Sequence, residues 1–87
     1  MNIQETRDYL IAQGNRKSTE SSKMRELAFR QLMDDTEQLW LLDEMDSEER
    51  EQTMEVIHET FEDEISKAVE LLNEANDCWN VAAELKN

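Results

Sequence analysis

Eighty-seven residues carrying 22 acidic against nine basic side chains, a net charge of −13, with no proline and one cysteine, describe one small and strongly acidic domain. The lone Cys78 excludes an intrachain disulfide and a cysteine-based zinc site, and no apolar run approaches the roughly 20 residues of a membrane span. The charge argues against direct binding of nucleic acid, of an anionic membrane surface or of a phosphorylated ligand.

Ala, Leu, Glu, Gln, Lys, Arg and Met dominate, and these are strong helix formers. The expected class is all-α. Asn2 followed by Glu5 has the spacing of a capping box, in which each side chain satisfies a free amide of the other. Ile3, Arg7, Leu10 and Ile11 then recur on one face, which predicts a short first helix over about residues 3–13. Gly14, the only glycine, suits the left-handed position that ends a helix, and 15–17 read as a connector.

Ser18, Thr19, Ser21 and Ser22 offer N-cap oxygens for a second helix over about 19–43. Its apolar stripe, at the spacing of a buried face, is Ala28, Phe29, Leu32, Met33, Leu39 and Trp40. The segment Leu39-Trp40-Leu41-Leu42 is apolar nearly all round, so it is buried on more than one side or meets a partner. Asp46 and Glu49 repeat the capping spacing and predict a third helix over about 47–86. Its heptads align Met54, Phe61, Ala68, Ala75 and Ala82 in one column, and Ile57, Glu64, Leu71, Cys78 and Leu85 in a second. His58, Ile65, Leu72 and Trp79 flank them.

The expected architecture is a single helical domain, 1–87: a short N-terminal helix plus a long antiparallel helical hairpin, three helices in all. Leu32, Leu39, Ile57, Phe61, Leu71 and Leu72 form its expected core. A hairpin turning near residue 45 leaves the last turns of the third helix uncovered. The short first helix has about the right length to cover them, and so has a second copy of the chain, which would give a homodimeric helical bundle joined through Leu72, Ala75, Trp79, Ala82 and Leu85.

The charge is concentrated. Residues 1–30 hold six basic and four acidic side chains, whereas Asp34 to Glu64 hold fourteen acids against one arginine. Glu48, Glu51, Glu55, Glu59 and Glu62 follow helical spacing along one outward face. Eight acids over residues 48–64 give one carboxylate per about 3.2 Å of helix axis, close to the roughly 3.4 Å between phosphates on a DNA strand. Asp34, Asp35, Glu37 and Asp63 complete the candidate partner-binding set.

Catalysis needs a nucleophile and a base, or a metal cage, and neither assembles from this sequence. His58 is the only histidine, and Cys78 lies twenty residues from it along the same helix. Glu55 and His58 match one Glu-x-x-His unit of a carboxylate-bridged metal bundle; one chain supplies no second, although a homodimer could. No cofactor and no metal are expected.

The expected function is therefore a non-enzymatic, cytoplasmic protein-binding module. It would block or regulate a nucleic-acid-handling protein by occupying its basic surface, as a nucleic-acid mimic or an inhibitor of the phage anti-defence kind. The alternative is a structural adaptor or assembly chaperone acting through the apolar coiled-coil seam.

Overall fold

Two side-chain caps start the two helices. In the computed structural model, which describes residues 2–41 and 45–85, the Asn2 side-chain oxygen accepts the Glu5 amide at 2.8 Å. The Asp46 carboxylate likewise accepts the Glu49 amide at 2.8 Å. Each oxygen satisfies a donor that the first helical turn leaves free. From these caps run α1, Ile3–Leu41, and α2, Ser47–Glu84. The Leu85 amide closes α2 by donating to the carbonyls of Val81 and Ala82.

The structure has two helices where three were expected. Gly14 and the serine-rich stretch 18–22 lie inside α1, and no described residue has a positive φ, so Gly14 does not end a helix. The expected ends at 43 and 86 lie outside the described residues. Tertiary packing is what carries α1 through its weak segment. A glycine inside a helix costs about 1 kcal/mol relative to alanine, and the residues around it lie against α2 over a long seam. Ser21 caps nothing. It is fully buried, and its hydroxyl donates to the Ala68 carbonyl of α2 at 2.6 Å.

The seam is built from small residues seven apart. Gly14, Ser21 and Ala28 on α1 and Ala68, Ala75 and Ala82 on α2 are all buried. Small contact residues bring helix axes to the near end of their usual separation. A Cβ built on Gly14 would stand only 2.4 Å from the Trp79 indole nitrogen. Larger side chains flank this line. Of the expected core residues Leu39 is buried, whereas Leu32, Ile57, Phe61, Leu71 and Leu72 are half-buried.

Cross-helix contacts fix an antiparallel register. Arg7 donates to the Leu85 carbonyl, Lys17 pairs with Glu74 at 3.2 Å, and the Phe29 and Phe61 rings meet at 5.2 Å. The first turns of α1 thus run along Leu72–Leu85, the stretch expected to be left bare. Of the two covers expected for it, the chain's own N-terminal segment is the one present, which removes the uncovered surface that suggested a second copy. The outcome is a rod of 66 × 15 × 14 Å with a radius of gyration of 19.6 Å. A compact chain of this length would have about 12 Å. No described helix is long and apolar enough to cross a membrane.

Candidate functional site at the acidic turn end

Antiparallel folding converts a stretch of acidic sequence into an acidic end. The stretch from Asp34 to Glu64 straddles the connection between α1 and α2, so its two arms lie side by side. With fourteen acids and one arginine it carries the whole net charge of −13, because the remaining residues balance at eight acidic and eight basic. One half of the rod is neutral and the turn half is polyanionic.

Most of the nine expected partner-binding residues are exposed, but they do not form one uniform face. Glu48, Glu51, Glu55, Glu59, Glu62 and Asp63 are exposed on α2, and Asp34 and Glu37 on α1. Asp35 is half-buried; it accepts the Gln31 side-chain amide at 2.7 Å and lines a narrow notch with Ala28, Phe61 and Glu64. It faces α2 rather than a partner. Glu64 is half-buried in the same notch, leaving seven exposed acids over 48–64, one per about 3.6 Å of helix axis.

Beside the acids lies an apolar ridge. Phe29, Met33 and Trp40, expected on the buried stripe, are instead 53%, 70% and 62% exposed on α1, because the face turned to α2 is the one that carries Ala28 and Leu39. Trp40 divides two depressions. On one side an open groove of about 650 Å³ has the buried Leu39 and the half-buried Met54 among its lining residues, with Trp40, Ser47, Arg50, Glu51, Glu55 and His58. On the other a shallower depression of about 510 Å³ is lined by Leu32, Met33, Asp34, Thr36, Glu37 and Trp40. The Arg50 guanidinium sits over the Trp40 ring at 5.5 Å, a cation–π contact that holds the indole edge of the groove.

No protein-family model, curated protein or solved structure matches this chain. What the site does rests on its own geometry and charge.

The residues expected to join two copies are engaged within one. Ala75 and Ala82 are buried in the seam, and Leu72, Trp79 and Leu85 are half-buried along it. His58, expected beside the seam, is exposed on the groove wall. Among the described residues no group of three or more His, Cys, Asp or Glu side chains is placed to hold a metal ion. Cys78 is half-buried, a full twenty helical residues and about 30 Å from His58. The segment Leu39 to Leu42 is apolar nearly all round. Nothing in that pattern separates Leu39, which is buried, from Trp40, which is exposed, because only the position of α2 decides which side of the helix is covered.

Proposed function

We propose that this chain is a non-enzymatic protein-binding module, acting in the cytoplasm, whose turn end occupies the basic, nucleic-acid-binding surface of a partner protein. It acts as a nucleic-acid mimic or inhibitor. The observation that carries this reading is the gathering of the net charge in the stretch at one end of a thin rod, with all of its described acids except Asp35 and Glu64 exposed. Like charges at helical spacing repel by a few tenths of a kcal/mol per pair. Stability alone would not favour such a surface, whereas attraction to a basic surface does.

In this proposal two copies associate through the neutral half, where Tyr9 and Val81 are exposed, because two turn ends would repel each other. Light scattering that gives a monomer mass at micromolar concentration removes that dimer and leaves the binding reading intact.

The binding reading is tested by reversing Glu51, Glu55 and Glu59 to Lys. All three are exposed, so the helical circular-dichroism spectrum stays near wild type, and the melting temperature holds or rises as repulsion along α2 is relieved. Capture of the partner from lysate at low salt is lost in the triple variant, and in the wild type it weakens steeply as salt is raised. A well-folded triple variant that still captures the same protein refutes the proposal.

A further inference from the structure

We propose that the groove beside Trp40 is a docking site for a basic amphipathic α-helix of the partner protein, which inserts one large apolar side chain over Leu39 and Met54. This deepens the reading above and rests on it: acids attract a basic surface in general, whereas the groove specifies the shape that is recognised.

Charge and shape coincide at this place. The groove has an apolar lining at Leu39, Trp40 and Met54; its charged lining is Glu51, Glu55 and Arg50, whose guanidinium lies over the Trp40 ring. Glu51 and Glu55 line it on α2, while Asp34 and Glu37 line the depression across Trp40. A helix lying here would place an apolar stripe against the indole and its lysines and arginines toward both acid rows. This is helix-in-groove recognition with a charged rim. The lining of α2 from Ser47 to His58 spans about 16 Å, or about three turns of a partner helix. Trp40 has the properties of an interface anchor: a large aromatic surface, mostly exposed, with its orientation held by Arg50. A second copy docking groove to groove is the wrong occupant, because it would bring a second acidic turn end against the first, and its other half is neutral rather than basic.

The test uses the full chain, labelled with nitrogen-15, and two synthetic peptides of identical Leu and Lys composition. One places its leucines on a single helical face; the other disperses them around the helix. At about 150 mM salt, where the Debye length is about 8 Å, the amphipathic peptide should bind at least tenfold more tightly. Its chemical-shift changes should centre on Leu39, the Trp40 indole, Met54 and His58. Trp40→Ala should reduce the amphipathic peptide to the affinity of the dispersed one. The mapping on the wild type decides the matter even if that variant does not fold.

Equal affinity for the two peptides, or shifts centred on the Gly14–Trp79 half, would overturn the groove and leave the acidic-surface reading standing. Failure of both peptides to bind would refute both readings together. A Trp40 signal that shifts with the protein's own concentration, with no peptide present, would replace the partner helix by a second copy.

Discussion

Gly14 shows how one residue can be chosen for space rather than for backbone freedom. Its φ is not positive, so alanine would suit its backbone and should gain about 1 kcal/mol of helix propensity. The added Cβ would nevertheless meet Trp79 at 2.4 Å, and overpacking costs about 1–3 kcal/mol. Gly14→Ala should therefore destabilise the wild type but stabilise a Trp79→Leu background, where the indole is gone. Urea unfolding of the four proteins of this cycle reads the sign in each background. The same sign in both would show that Trp79 does not seat on Gly14. Glu64 is the converse case, a charged residue in a core column. It is half-buried in a notch with Leu32, Ile57, Phe61 and a second carboxylate, Asp35. Glu64→Leu should raise stability by about 1 kcal/mol through added apolar burial. A lower melting temperature would place the acid in a structural role.

At the scale of the element, α1 is where local rules and tertiary packing disagree. Glycine followed by a polar connector and a run of serines is a sound stop-and-start signal when only neighbours in sequence are considered. Most of a helix's stability in a folded protein comes instead from the face it packs, and this face continues through Gly14, Ser21 and Ala28. Amide hydrogen exchange separates the two descriptions. A continuous α1 requires amides 15–22 to be protected to nearly the same degree as those of 24–32. A break after Gly14 would show rapid exchange at 15–18. α2 met no such conflict: its cap, its start at Ser47 and the alanine column of its heptads were all legible, because each depends on spacing within a single helix.

For the whole molecule, the same charge acts in opposite directions on stability and on binding. The free rod concentrates −13 in one half, and self-repulsion of that kind opposes the folded hairpin. Added sodium chloride should raise the melting temperature of the free protein while it weakens partner capture, since salt screens exposed charges in both. A melting temperature that falls with salt would mean that attractive pairs such as Lys17–Glu74 outweigh the repulsion.

Composition and period were enough to establish an all-helical chain, the two capped helix starts and the alanine-rich face of α2, because those properties arise within a few turns of one helix. The separation of a near-neutral N-terminal part from an acidic remainder was equally plain in the order of residues. Pairing decided the rest. α1 crosses its glycine because that residue lies under Trp79, from a part of the chain 65 positions away. The last turns of α2 are covered because α1 runs unbroken through Gly14 from Ile3, which the contacts of Arg7 with Leu85 and of Ser21 with Ala68 reveal. The groove beside Trp40 exists only between two helices. Its lining comes from residues 39–40 and 47–58, and no single-helix pattern carries their juxtaposition.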